Sequence, residues 1–262
     1  MRQVQCDPLP GRAAGVGLRG VGLVLGLLGV LTATEGLGRT GWLVGLTCAA
    51  VVNTLLVAAL VAHSRDRLGP ADRVTLIRAE LACGAAALVA ESVIRPGQGS
   101  TLAWLAAVGL VLDGVDGRVA RRTGTVTPLG ARFDMEVDAF LILVLSTYAA
   151  ADIGAWVLSI GLASYVLLVA RHLVPWLRRS APPRYWCKVV AVIQGVVLTA
   201  VAAGVLPHAL SVCVVLLALA LLVESFGREV LWLWSTRCDE PRMPQQATSR
   251  ASGEPSDIRR VG

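Results

Sequence analysis

The chain has 262 residues, of which 55% are hydrophobic and only 16% are charged. A soluble domain is more polar than this, so the composition excludes an ordinary water-soluble protein and predicts one embedded in a membrane. The formal net charge of +6 does not indicate nucleic-acid binding, because no long basic run is interleaved with aromatic residues and basic side chains at a membrane surface attract anionic headgroups.

Apolar segments of membrane-spanning length recur along the whole chain. Windows of about 20 apolar residues, the length that crosses the hydrocarbon core, are centred near residues 25, 52, 84, 104, 143, 163, 197 and 216. The sequence therefore predicts an all-α protein, a polytopic integral membrane bundle of eight helices.

The first two predicted helices, about residues 15–62, offer few groups for chemistry. Their only carboxylate is Glu35, and Asn53 is among their few polar residues. The apolar run at 20–34 follows basic residues and also fits a signal peptide, but residues 32–35 form a poor cleavage site. We expect both helices to remain as an anchor, a packing flank or a partner surface.

The third predicted helix, about residues 71–94, is unlike the first two because it is charged. It carries Arg73, Arg78, Glu80 and Glu91. Charged side chains facing lipid are costly, so we expect this helix inside an enclosed bundle.

Four aspartates stand at the ends of the fourth and fifth predicted helices. Asp113 and Asp116 are three residues apart and Asp134 and Asp138 four apart, so each pair projects from one helical face. A turn is predicted at 124–128, which would let the two faces meet across a hairpin. Carboxylate oxygens are ligands for hard cations such as Mg²⁺, which often share a site with substrate phosphates. The pattern predicts a divalent-metal site for a diphosphate.

The C-terminal part contains an uncharged run at 189–223 that is too long for one crossing. Pro207 is expected to divide it into two helices, and the polar tail at 237–262 is expected to be disordered. Lys and Arg are expected in cytoplasmic loops. With eight spans and the N-terminus inside, Arg39 and Arg95 are the only two of the 24 Lys and Arg residues that fall outside the predicted cytoplasmic regions. This topology predicts that the aspartates lie at the cytoplasmic face.

The aspartate segment resembles the signature of a known enzyme family at every fixed position. The family is the CDP-alcohol phosphatidyltransferases, and the eight matching residues are Asp113, Asp116, Gly117, Ala120, Arg121, Gly130, Asp134 and Asp138. Residues 70–78 resemble the family's Pro-Ala-Asn-x-x-Thr-x-x-Arg helix, with Asp72 in place of the usual Asn. Lys188 and Gln194 are similar to a Lys-x2-Thr-x2-Gln stretch of several members, with Ala191 where Thr is common.

The resemblance implies a catalytic domain at 70–236, a six-helix core preceded by two additional membrane helices at 1–69. It implies two divalent cations, Mg²⁺ or Mn²⁺, held by Asp113, Asp116 and Asp134 and by Asp113, Asp134 and Asp138. Asp138 is also implied as the proton acceptor. The implied nucleotide and donor contacts are Asp72, Thr75, Gly117, Arg121 and Thr127.

The resemblance also implies a reaction. A CDP-linked donor, usually CDP-diacylglycerol, would lose CMP as the hydroxyl of an acceptor attacks its β-phosphorus. The reverse arrangement, in which a small CDP-alcohol donates to diacylglycerol, remains an alternative. Family members commonly form homodimers, and the setting expected here is a prokaryotic plasma membrane.

Other interpretations of the charged residues stay open at this point. The aspartates could cap helices or balance nearby arginines. Asp-rich motifs also occur in membrane prenyltransferases, and a divalent-cation carrier would also have intramembrane carboxylates. Several basic residues could bind a phosphorylated acceptor or could simply follow the topology of cytoplasmic loops. Those most suited to acceptor binding are Arg171, Arg184 and Lys188.

Overall fold

The computed structural model describes residues 9–62, 70–123, 128–173 and 185–235. Within these ranges the chain forms eight α-helices, one short 3-10 turn at Ala155–Val157 and no strand, which confirms the predicted all-α fold. The helices are α1 Leu9–Glu35, α2 Arg39–Ala62, α3 Pro70–Ser92, α4 Gly99–Thr123, α5 Pro128–Ile153, α6 Leu158–Leu173, α7 Tyr185–Ala202 and α8 His208–Ser235.

Three of these helices are long and apolar enough to cross a membrane by themselves. They are α1 over Gly17–Glu35, α2 over Arg39–Val61 and α8 over His208–Arg228. Shorter apolar stretches lie in α4, in the 3-10 turn with α6, and in α7. Large apolar side chains such as Leu55 and Leu217 are exposed on the outer surface, where lipid would cover them. The protein is an integral membrane protein.

Helix α3 lies at the centre of the N-terminal half and packs against α1, α2, α4 and α5. Its middle is a run of small buried residues that includes Ala82, Cys83, Ala85 and Ala87. Small residues let helix backbones approach closely, as membrane helices require. This packing confirms that the charged third helix is enclosed by the bundle.

The C-terminal half is built on α5, which packs against α6 and α7, while α7 also contacts α4 and α8. Gly99, the first residue of α4, lies in close contact with both α5 and α7. A Cβ added there would lie 2.5 Å from the carbonyl oxygen of Ala202 and 2.6 Å from Oη of Tyr148. The absence of a side chain at Gly99 therefore allows α4 to pack tightly against α5 and α7.

The interruptions between helices fall where turn-forming residues were expected. Helix α7 ends at Ala202 and α8 begins at His208, directly after Pro207. Between them Gly204 has a positive φ of 65°, a conformation that favours glycine. The predicted division of the long apolar run is confirmed. The turn between α4 and α5 and the tail beyond residue 235 lie outside the described residues.

Candidate active site

Three aspartates from two helices converge at one place in the bundle. Asp113 comes from α4, whereas Asp134 and Asp138 lie one turn apart on the same face of α5. One carboxylate oxygen from each of the three lies within 4.8 Å of the others. Their side chains are 31%, 34% and 35% exposed, so the cluster remains open to a ligand.

A buried arginine from α3 completes this cluster. The side chain of Arg78 is only 2% exposed, and its Nη1 lies 3.1 Å from Oδ1 of Asp113. The same Nη1 donates to Oδ1 of Asp134, while Nη2 donates to Oδ1 of Asp138. One guanidinium group therefore joins α3 to both aspartate-bearing helices.

Arg78 was not predicted as a site residue from the sequence, which gave it only as a charge in an enclosed helix and as the end of the opening motif. The sequence did contain a signal that Arg78 belongs to the site. A charged side chain buried in a membrane bundle needs partners of opposite charge, and the nearby helices α4 and α5 supply carboxylates. Combining these two facts would have brought Arg78 into the candidate site.

The cluster fits a divalent cation by the chemistry of its donors. Three carboxylates carry three negative charges and Arg78 contributes one positive charge, so negative charge remains in excess at the site. Hard cations prefer oxygen ligands of this kind and are commonly completed by substrate phosphate and water. The half-buried aspartate cluster could therefore hold a metal ion, as the sequence predicted.

Asp72 and Thr75 precede Arg78 on α3 by two turns and one turn, and both side chains are buried. Thr75 is three residues before Arg78 and therefore lies on the same face of the helix. Asp72 is six residues before Arg78 and points about 120° away from it around the helix axis. Of the two predicted nucleotide-binding residues of α3, Thr75 is thus the one that shares a face with the residue that contacts the aspartates.

The remaining predicted site residues lie partly or wholly outside the described residues. Asp116, Gly117 and Arg121 follow Asp113 within α4, but their side-chain environment lies outside the described part of the chain. The same holds for Arg171, in the last turn of α6, and for Lys188, in the first turn of α7. Thr127 and Arg184 lie outside the described residues altogether.

Comparison with known proteins agrees with the signature. The family model for CDP-alcohol phosphatidyltransferase matches residues 70–224, more than half of the chain. The chain belongs to the CDP-alcohol phosphatidyltransferase family. This confirms the predicted resemblance and makes the protein an enzyme of that class. The matched region begins at the first residue of α3 and ends within α8, so it includes every helix that contributes to the site.

Helices α1 and α2 precede the region that the CDP-alcohol phosphatidyltransferase model covers. A curated relative, human ethanolaminephosphotransferase 1, is 38% identical over 74 residues. That alignment covers 26% of this chain and 19% of the human protein. The chain therefore spans about a fifth of the length of this relative. No solved structure gives a significant match.

Proposed function

We propose that this CDP-alcohol phosphatidyltransferase transfers a phosphatidyl group from CDP-diacylglycerol to a hydroxyl acceptor and releases CMP. The observation that carries the proposal is the convergence of Asp113, Asp134 and Asp138 within 4.8 Å, with Arg78 among them. Family membership supports transfer from a CDP-alcohol. Our proposal adds that CDP-diacylglycerol is the donor and that the hydroxyl compound is the acceptor.

The metal ligands in this proposal are Asp113, Asp116, Asp134 and Asp138, which would hold two divalent cations, Mg²⁺ or Mn²⁺. Bound there, such ions would neutralise the donor diphosphate and stabilise the attacking and leaving oxygens. Arg78 keeps the carboxylates of α4 and α5 together, because its two terminal nitrogens contact three of them. Asp72, Thr75, Gly117, Arg121 and Thr127 are the proposed donor-binding residues.

Asp138 is the proposed proton acceptor. The acceptor oxygen attacks the β-phosphorus, the bond from that phosphorus to the CMP oxygen breaks, and CMP leaves with the electron pair. The hydroxyl proton passes to a carboxylate oxygen of Asp138. The hydrogen bond from Nη2 of Arg78 occupies Oδ1 of Asp138 and orients the carboxylate, which leaves Oδ2 for the proton.

The acceptor is proposed to approach through basic residues, of which Arg171, Arg184 and Lys188 are the candidates. The placement of basic residues along the sequence supports a site that faces the cytoplasm. A prokaryotic plasma membrane is the proposed setting. A homodimer is the assembly that the family resemblance favours.

One comparison favours a second candidate function. The similar human protein is named an ethanolaminephosphotransferase. In the corresponding reaction, a small CDP-alcohol such as CDP-ethanolamine would donate its phospho-alcohol to diacylglycerol, again with release of CMP. The same aspartates would serve both reactions, because the diphosphate of the donor is common to them.

The decisive experiment supplies purified protein in nanodiscs with one donor and acceptor set at a time, in Mn²⁺ or Mg²⁺. One arm pairs CDP-diacylglycerol with glycerol phosphate, inositol phosphate, serine or a second phospholipid. The other pairs CDP-ethanolamine or CDP-choline with diacylglycerol. We expect CMP and a new phospholipid only in the first arm. CMP and product in the second arm alone would replace the proposed function with the second candidate.

A further inference from the structure

The two helices that precede the family match, together with loop 36–38, form a hairpin that packs on α3. This α1–α2 hairpin contacts α3 on the side away from the aspartates. Arg78 and Glu80 are two residues apart, so their side chains leave α3 on nearly opposite sides, about 160° apart around its axis. Arg78 reaches the aspartates of α4 and α5, while Glu80 reaches the hairpin.

The contact on the hairpin side is a buried polar one. Nδ2 of Asn53, on α2, lies 2.8 Å from Oε1 of Glu80 and 2.9 Å from the carbonyl oxygen of Ala49. Asn53 and Glu80 are both almost fully buried. Gly20 of α1 packs directly against this pair, and a side chain there would not fit, since a Cβ would lie 2.0 Å from Oδ1 of Asn53. Three helices thus meet around one hydrogen bond.

A second contact lies near the other end of α3. The side chain of Glu91 is buried, and its Oε2 accepts a hydrogen bond from the backbone N–H of Gly41, at 3.3 Å. Gly41 is in the first turn of α2, where free N–H groups and the helix dipole favour a carboxylate. Gly38 allows this approach, since a Cβ there would lie 2.8 Å from Oε1 of Glu91.

These two contacts are separated by eleven residues of α3, or about 16 Å along its axis. Two fixed points at that separation determine the tilt, rotation and axial position of a helix. A buried polar pair adds little net stability compared with an apolar one, and its best-established use is to select a single register. Both contacts therefore suit a role in alignment better than a role in anchoring.

We propose that the α1–α2 hairpin is a positioning element of the active site, and that the Asn53–Glu80 hydrogen bond sets the register at which α3 presents Arg78 to the aspartates. A shift of α3 by a single residue would move Arg78 by 1.5 Å and rotate it by 100°. Its guanidinium would then lose the geometry that joins Asp113, Asp134 and Asp138. Asn53 and Glu80 are positioning residues, since neither touches Asp113, Asp134 or Asp138, the site aspartates whose side chains the structure describes.

The inference rests on the enzyme class and on the proposed role of Arg78, and it is independent of which lipid is the donor. The sequence suggested that α1 and α2 have little to offer a nucleotide. That expectation is compatible with the proposal, because the hairpin is proposed to act through α3.

The test compares three variants in nanodiscs. Asn53→Leu removes the hydrogen bond at similar volume, and Glu80→Gln keeps an oxygen that can accept from Asn53 while removing the charge. Thr47→Val is the control, because Thr47 is exposed on α2 and its hydroxyl donates within its own helix, to the carbonyl of Leu43. We expect kcat to fall about 10- to 100-fold in Asn53→Leu and to stay within about twofold of wild type in the other two.

A second measurement does not depend on turnover. Mn²⁺ affinity is determined by titration without any donor, for wild type, Asn53→Leu, Arg78→Ala and the double variant. If Asn53 acts through Arg78, its substitution changes Mn²⁺ affinity in the wild type but has little further effect once Arg78 is gone. A wrong choice of donor lipid would abolish the turnover signal in the wild type and leave this Mn²⁺ cycle intact.

Three results would overturn the proposal. They are wild-type kcat and Mn²⁺ affinity in well-inserted Asn53→Leu, equal losses in Glu80→Gln and Asn53→Leu, or additive effects in the Mn²⁺ cycle. If Asn53→Leu inserts poorly, Glu91→Ala loosens the other contact and is carried through the same measurements, with the same expected loss of kcat.

Discussion

Nη1 of Arg78 lies 3.1 Å from Oδ1 of Asp113, so a buried cation on α3 contacts the first aspartate of the signature on α4. The same side chain contacts Asp134 and Asp138 on α5. A buried ion pair often adds little stability, but loss of one partner is costly because the remaining charges are left uncompensated. Among the residues outside the signature, Arg78 is therefore the one whose removal should affect the site most.

Replacing Arg78 with Ala should lower transfer activity by about 100-fold or more, because three carboxylates lose their shared positive partner and repel one another. Arg78→Lys keeps the charge but not the two-nitrogen fork, so its activity should be intermediate. CMP release by purified protein provides the measurement.

Arg19→Ala is the matched control, since Arg19 is exposed on α1. It should leave CMP release unchanged. Equal activity of Arg78→Ala and wild type, with both proteins correctly inserted, would contradict a role for Arg78 in the site.

Arg78→Ala should bind Mn²⁺ more tightly than wild type when no donor is present. The guanidinium donates to Oδ1 of Asp134 and Oδ1 of Asp138 and adds a positive charge at the place where a cation would sit. Its removal frees these oxygens and lowers the repulsion on an incoming ion, which at separations of a few ångströms is worth about 10-fold or more in affinity. Titration of the nanodisc-embedded protein would measure this, and weaker binding in the variant would show that Arg78 supports metal binding instead.

The eight helices and the division at Pro207 were predictable because they follow from local features, namely apolar runs of spanning length and residues that interrupt helices. The proximity of Asp113 to Asp134 was also predictable, since the signature places them on consecutive helices. The contacts of Arg78 and of Glu80 were not. Each depends on how α3 rotates between its neighbours, and that rotation is set by tertiary packing that no single segment of sequence records.

Asp113→Asn should abolish CMP release while the protein still inserts, because the change removes a charge at the membrane edge and keeps the side-chain volume. Asp138→Asn should differ from it. It should retain much of the donor binding but lose turnover, because it removes the proposed proton acceptor and leaves the other carboxylates in place.

Binding of the CDP-linked donor and CMP release, measured side by side, separate these two effects. Asp152→Asn is the control, since Asp152 is exposed near the opposite end of α5. Undiminished turnover in stable Asp113→Asn would contradict the assignment of the site.

The topology predicted from basic residues can be tested with single cysteines in a background that lacks all six native ones. Arg250→Cys should react with a membrane-impermeant maleimide only from the cytoplasmic side, because an even number of spans places both termini inside. Ser100→Cys changes one oxygen to sulfur at an exposed position in the first turn of α4 and should react only from the opposite side. Since α4 then runs from that side towards Asp113, the pair of labels also reports the face on which the active site opens. Labelling of both positions from the same side would mean that an odd number of the helices between them do not cross the membrane. If that side were the cytoplasmic one, α4 would carry Asp113 to the outer face, and the cytoplasmic placement of the aspartates would have to be abandoned.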